Sequence, residues 1–248
     1  MSINVQHVTG GYTQIPVIKE VSFEVKDGEL VGLIGLNGAG KSTTLKHIIG
    51  LLNPQSGNIT INGKTQSEDQ SAYRRAIGYI PETPVLYEEL TLKEHIEVTA
   101  LAYGIDSEEA IQRAVPLLQL FRLAERMDWF PAYFSKGMKQ KVMIVCAFLV
   151  DPAVFIIDEP FIGLDPLGIR DLLSLIQTEK SKEKAVLMST HVLSTAEKYC
   201  DRFVILHEGK VYAQGTLKEL QHTFKQPNAS LDDLYFMLTE KEGALLES

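Results

Sequence analysis

Cysteine is scarce in this chain: Cys146 and Cys200 are the only two in 248 residues, and no C-x-x-C pair occurs. That excludes a disulfide scaffold and a thiolate zinc site, and it points to a reducing compartment. Positive charge is in deficit, with 24 Lys and Arg against 32 Asp and Glu for a formal charge of −8. A broad nucleic-acid footprint is therefore not expected. Long apolar runs are missing too. The longest, Val142 to Val150, has nine residues, about half of what a membrane span needs. The first residues lack the charged-then-apolar layout of a signal peptide, so the chain by itself is expected to be soluble and cytosolic. Hydrophobic residues at 45% and charged ones at 23% rule out disordered and fibrous classes. The length suits one α/β domain, or at most two small ones, with a large core.

Early segments alternate. Ile3 and Val5 flank Asn4, and Val21, Phe23 and Val25 alternate with polar residues, the period of half-buried strands. Turn signals at Asp27-Gly28 and Asn62-Gly63 complete an antiparallel β portion over about the first sixty residues. Continuous apolar runs follow at Val31 to Gly35, Val154 to Ile157, Ala185 to Met188 and Phe203 to Leu206. Such runs suit parallel strands covered on both faces, and helical patterns separate them. Between about 85 and 150 strand signals vanish. Thr91-Leu92-Lys93-Glu94 reads as a capping box. A helix is expected after Ser107, kinked or divided by Pro116, and another from Ser135 with Met138, Val142, Val145, Cys146 and Leu149 on one stripe.

The chemistry begins at Gly35-Leu36-Asn37-Gly38-Ala39-Gly40-Lys41-Ser42, a G-x-x-x-x-G-K-[ST] loop followed by Thr43. Its glycines let backbone N–H groups wrap phosphates, Lys41 neutralises β- and γ-phosphate charge, and Ser42 offers a hydroxyl to Mg²⁺. A chain of this length matches the pattern by chance on the order of 0.01 times, and here an apolar strand precedes it and an amphipathic helix follows. The motif predicts nucleoside triphosphate binding. Val154 to Ile157 then runs into Asp158-Glu159. Taken alone, two acids ending a strand can be solvated caps. Beside a phosphate loop, Asp158 suits the Mg²⁺ shell and Glu159 suits orienting and deprotonating the attacking water. No Asn-Lys-x-Asp guanine reader is found. Apart from His191, the histidines, His47 and His95 among them, form no ligand cluster and read as surface or packing residues.

Over nearly its whole length the chain resembles the ATP-binding subunits of ABC transporters. Phe134-Ser135-Lys136-Gly137-Met138 followed by Lys139-Gln140-Lys141 is similar to that family's signature, with Lys136 replacing its first glycine. The resemblance implies that Ser135, Lys136, Gly137 and Met138 reach ATP bound to an opposite subunit, while Ser135 also serves as a helix cap. Ser189-Thr190-His191 matches the switch histidine that contacts the γ-phosphate. Asp165, in Gly163-Leu164-Asp165, matches the segment linking the two halves of a dimer, with a plain N-cap before Pro166 as the other reading. Tyr12, in the first strand pair, matches the ring that stacks on adenine. Glu82, in Tyr79-Ile80-Pro81-Glu82, stands where the family usually has glutamine, and a carboxylate there suits a Mg²⁺ contact. Gly10-Gly11-Tyr12-Thr13, the run from Tyr79 to Leu92 and Trp129-Phe130-Pro131-Ala132 resemble the Ecs-type bacterial branch, which implies a role in protein secretion and processing.

The resemblance implies a mixed α/β P-loop ATPase of ABC type: a core sheet with helices, an N-terminal antiparallel β portion and a helical insert. Residues 1–248 are expected to form one ATPase domain, with about 85–150 as its helical subdomain. The stretch from Thr216 to Ser248 reads as helical finishing residues. ATP and Mg²⁺ are the implied ligands. The implied partners are a second ATPase subunit, identical or not, and an integral membrane permease on a separate chain, but no nucleic acid. The chain would lie on the cytoplasmic face of the cell membrane, held there by the permease. The competing reading is a soluble ABC ATPase of a cytosolic assembly such as iron–sulfur cluster biogenesis.

Overall fold

The computed structural model describes residues 2–237. Two sheets share the chain. Strands β1 (Ile3–Gly10), β2 (Ile18–Val25) and β4 (Ser56–Ile61) form an antiparallel sheet in the order β2-β1-β4. The core sheet has six strands: β5 (Ile77–Ile80), β6 (Val154–Asp158), β7 (Ala185–Thr190), β3 (Leu30–Ile34), β8 (Arg202–His207) and β9 (Lys210–Gly215). Its first five strands are parallel, and β9 closes the edge as an antiparallel hairpin partner of β8. The four apolar runs of the sequence are β3, β6, β7 and β8. Strand β5, a short run of mixed character, and the half-exposed β9 carried no comparable signal.

Successive strand residues point to opposite faces, and the core divides accordingly. Phe155, Ile157, Val186 and Met188 face one cluster, while Val154, Ile156, Leu187 and Leu33 face another. The second cluster joins the core sheet to the N-terminal sheet and to α1 (Lys41–Ile48), through Val5, Val21, Leu45 and Ile48. The first takes up the helical stretch between β5 and β6: α3 (Leu92–Tyr103), α4 (Ser107–Leu120) and α5 (Lys136–Leu149). Short α2 (Gln70–Arg75) precedes β5. Helices α6 (Pro166–Ser181), α7 (Leu193–Tyr199) and α8 (Leu217–Thr223) follow β6, β7 and β9. Residues 231–237 are helical as well, and the rest of the expected helical tail, 238–248, lies outside the described residues.

Caps behave as the sequence suggests at α3, where Thr91 and Glu94 make the reciprocal capping box. At α4 the cap is Asp106, whose carboxylate accepts from the Glu108 amide at 2.9 Å, so Ser107 is the first helical residue. Pro116 does not divide α4, which runs through it. The carbonyl it strips of a partner belongs to Gln112, which faces solvent, while Ala114 and Leu118 pin the helix to the core on either side.

One glycine ties these layers to the phosphate loop. Gly209, in the β8–β9 turn, accepts from the Lys19 amide at 2.7 Å and donates to the Ala39 carbonyl at 3.1 Å. Its φ is +76°, and an added Cβ would overlap the Val17 carbonyl oxygen. Gly209→Ala is expected to cost about 2–5 kcal/mol, combining left-handed strain with overpacking. Gly63→Ala, at a similar φ of +77° but in open space, should cost about 1–2 kcal/mol. Urea unfolding of both variants measures the difference, and equal losses would mean that the Gly209 contact is not tight.

Candidate active site

The site lies where adjacent parallel strands end, outside their carboxyl ends, as in open α/β sheets generally. Ile34 of β3 pairs with Thr190 of β7, and Asp158 of β6 pairs with Ser189. The residues that follow, Gly35 to Ser42, Glu159 and His191, therefore leave the sheet side by side. A cleft of about 270 Å³ opens between them, lined by Leu36, Asn37, Gly38, Gly40, Lys41, Ser42 and Thr43. Glu82, Glu159 and His191 line its other walls.

The loop has room for its turn only because of its glycines. A Cβ on Gly35 would stand 2.7 Å from the Leu206 carbonyl oxygen and 2.8 Å from the Ala39 Cβ. Gly40 has φ +104° and Gly38 φ +86°, conformations that L side chains resist. Helix α1 starts directly after Gly40 with no side-chain cap, so its N-terminal amides face the cleft. Lys41 Nζ, with the side chain 6% exposed, donates to the Gly35 carbonyl at 2.8 Å and lies 3.5 Å from Glu159 Oε1.

The acidic pair is buried beside it. Asp158 Oδ1 accepts from Ser42 Oγ at 3.3 Å and from Ser189 Oγ at 2.5 Å. Glu159 has φ +45°, unusual for a residue with a side chain. Its amide donates to the carbonyl oxygen of Ser189 at 3.2 Å and to the hydroxyl of the same residue at 3.1 Å, which holds the turn. Glu159 Oε2 is 2.8 Å from His191 Nδ1 and 3.3 Å from the His191 amide. Ser189 is thus a positioning residue for both acids, and the sequence reading gave it no role. A buried Ser-Thr pair ending an otherwise apolar strand was the signal available.

The residues suit a magnesium nucleotide. Ser42, Asp158 and Glu82 offer hard oxygen donors, and among the described residues no group of three or more His, Cys, Asp or Glu side chains could hold a metal. Mg²⁺ commonly takes one or two carboxylates and completes its shell with phosphates and water. Tyr12 belongs to the loop after β1, not to a strand, which corrects its expected location. Its ring is 57% exposed, and its hydroxyl accepts from Lys46 Nζ on α1 at 3.1 Å. Burial raises the hydroxyl's pKa, but the hydrogen bonds with Lys46 and Thr43 outweigh that and leave it lowered.

Ser135 to Met138 and Asp165 do not line this cleft. The signature residues meet Gly163 instead, in the segment that leads to Asp165. Ser135 caps α5, accepting from the Met138 amide at 3.3 Å. A Cβ on Gly137 would overlap the Gly163 carbonyl oxygen, and the stem of Lys136 runs along Gly163. Asp165 caps α6 through the Gly168 amide at 2.7 Å and pairs with Lys141 at 2.7 Å. The Lys141 ammonium first, and then that amide, hold the Asp165 carboxyl below the usual carboxylate range. Gln140, buried on α5, donates to the Pro81 carbonyl at 3.1 Å, next to Glu82. Lys141 and Gln140 are linkers whose partners are remote in sequence, so the motif alone assigns them no role.

Comparison with known proteins gives the family. Residues 18–162 match the family model described as ABC transporter. The chain is 59% identical over 241 residues to the ABC-type transporter ATP-binding protein EcsA of Bacillus subtilis (strain 168), covering 97% of this chain and 98% of that protein. It is 44% identical to the uncharacterized ABC transporter ATP-binding protein YthP of the same organism, covering 91% and 92%. Among solved structures, an ATP-binding subunit of an ABC transporter superposes with a TM-score of 0.93 at 56% identity, covering 96% of this chain and 100% of that one. A dimeric ATP-binding cassette in a post-hydrolysis state bound to ADP and Pi superposes with a TM-score of 0.79 at 27% identity, covering 87% and 98%. The phosphate loop, the buried acids and these likenesses lead to one conclusion: the chain belongs to the ABC transporter family, as an ATP-binding, ATP-hydrolysing subunit.

Proposed function

We propose that this chain is the motor of an Ecs-type ABC transporter, pairing with a second ATPase chain around two ATP molecules and driving an integral membrane permease carried on a separate chain. The observation that carries the reading is the buried Lys41–Glu159 pair beside the phosphate loop, with the more exposed His191 hydrogen-bonded to Glu159. In it, the loop from Gly35 to Thr43 wraps the phosphates and Lys41 offsets their charge. Ser42 and Asp158, with Glu82 from the opposite wall, would hold Mg²⁺, which supplies charge neutralisation at the transferred phosphoryl group. Glu159 accepts a proton from the attacking water, and His191, hydrogen-bonded to it, orients that carboxylate and reaches toward the γ-phosphate. Tyr12, with Lys46 beneath it, offers its exposed ring to adenine.

Each chain carries a phosphate loop and a signature on separate surfaces, so a complete site takes the loop from one chain and Ser135 to Met138 from another. Lys136, where the family pattern has glycine, adds a positive charge on the side that meets the partner's phosphates. Asp165, tied to Lys141 of the signature helix, links the two. The dimeric relative and the 59% identity to EcsA support this assembly and the Ecs-type assignment. Among the described residues no helix is long and apolar enough to cross a membrane, which fits a permease on its own chain. The chain would then sit on the cytoplasmic face, with the exposed Val85 and Tyr87 beyond Glu82 in the surface offered to the permease.

Glu159→Gln is expected to keep ATP binding while turnover falls about 10²–10⁴-fold, the usual loss on removing a general base. Steady-state phosphate release measures it, and a variant retaining most of its turnover would remove Glu159 from that role. Glu82→Ala should shift the Mg²⁺ dependence of turnover to higher concentration, and an unchanged Mg²⁺ titration would exclude a metal contact. Tagged Glu159→Gln chain, loaded with ATP and mixed with detergent-solubilised source membranes, should capture a near-stoichiometric multi-span protein identifiable by mass spectrometry. Recovery of soluble proteins alone would contradict the transporter assembly.

A further inference from the structure

One peptide plane of the phosphate loop is bonded on both edges. Its carbonyl, on Gly35, accepts from Lys41 Nζ at 2.8 Å. Its N–H, on Leu36, donates to the Tyr235 hydroxyl at 2.6 Å. In a trans peptide the C=O and N–H point to opposite sides of the chain, and the described backbone has no cis bond. Lys41 and Tyr235 therefore grip the same rigid unit from opposite sides, and a rotation of that unit disturbs both bonds.

Tyr235 is far from the loop in sequence, and its ring is 5% exposed. It packs in a small core with Ile34, Leu193, Ala196 and Leu231. Ile34 ends β3 immediately before the loop, and Leu193 opens α7 two residues after His191. The Leu231 amide donates to Glu197 Oε2 on α7 at 2.5 Å. The helical residues 231–237 are thus moored to the helix behind His191 and extend the Tyr235 hydroxyl to the Leu36 amide of the loop. Phenylalanine would satisfy the packing equally well. The hydroxyl is what packing does not require, and burial raises its pKa above the ordinary tyrosine value.

We infer that Tyr235 is a positioning residue for the nucleotide site, fixing the Gly35–Leu36 peptide so that Lys41 and the loop amides are preset for a triphosphate. The inference rests on the loop being the ATP site and extends that site to the C-terminal segment. With the hydroxyl gone, the Leu36 amide is left without its acceptor and the loop samples other orientations before it binds.

The test is Tyr235→Phe in the full chain, with titration calorimetry of a non-hydrolysable ATP analogue and Mg²⁺, plus hydrogen exchange at the Leu36 amide. The dissociation constant should rise at least about twofold and up to about tenfold, the span of one neutral hydrogen bond. Leu36 amide exchange should accelerate. Leu36→Pro removes the same N–H, so Tyr235→Phe should add nothing to affinity loss in that background. A change in affinity below twofold, whatever happens to thermal stability, would overturn the inference, as would losses that add in the double variant. If the unaltered chain failed to bind the analogue, the nucleotide site itself would fall. A variant that binds as well as the unaltered chain removes only the role of Tyr235.

Discussion

Three charges meet at the carboxyl end of the core sheet with their side chains almost wholly shielded from water: Lys41 at 6% exposure, Asp158 at 3% and Glu159 at 7%. A charge taken out of water costs several kcal/mol unless partners replace its hydration, and the surrounding architecture supplies them. Asp158 takes two hydroxyls, Ser42 from the loop and Ser189 from β7. Glu159 takes Lys41 and His191. The acids end β6, while Lys41 and Ser42 follow β3 and Ser189 and His191 end or follow β7, so their meeting depends on parallel register, with Ile34 opposite Thr190 and Asp158 opposite Ser189. A slip of one residue would turn each side chain to the other face.

The same economy governs the loop's surroundings. Gly209 binds the N-terminal sheet and the loop through one residue's amide and carbonyl, and Tyr235 reaches the loop from the far end of the chain. On the other side, Gln140 and Lys141 connect the signature helix to the segments carrying Glu82 and Asp165. In the proposed assembly these links let a change at one nucleotide pass to the helical segment and to the partner chain. The signature does not line the cleft of its own chain, and in the proposed assembly a second chain would supply it to complete each site.

Much of this was legible beforehand for a physical reason. Strands covered on both faces must be continuously apolar, so β3, β6, β7 and β8 announced themselves, and a phosphate loop needs glycines and a lysine at fixed spacing. Capping at Thr91 and Asp165 is local chemistry, readable from four residues. What escaped were effects of contact between distant segments. The local cost of Pro116 points to a kinked or divided helix, whereas solvent around Gln112 and the burial of Ala114 and Leu118 let α4 continue undivided. Tyr12 was read onto a strand that ends at Gly10. Ser189, Gln140, Lys141 and Tyr235 act through partners remote in sequence, which periodicity and local motifs do not reveal.

The central claim, that each chain holds half of two composite nucleotide sites, is most directly tested by sedimentation velocity of Glu159→Gln with and without ATP and Mg²⁺, using either the chain alone or the chain with its ATPase partner if the pair is mixed. The account predicts monomers without nucleotide, ATP-dependent dimers with it, and loss of the dimer when Ser135→Arg places a bulky cation at the signature. A sedimentation coefficient unchanged by ATP, or a dimer indifferent to Ser135→Arg, would contradict it.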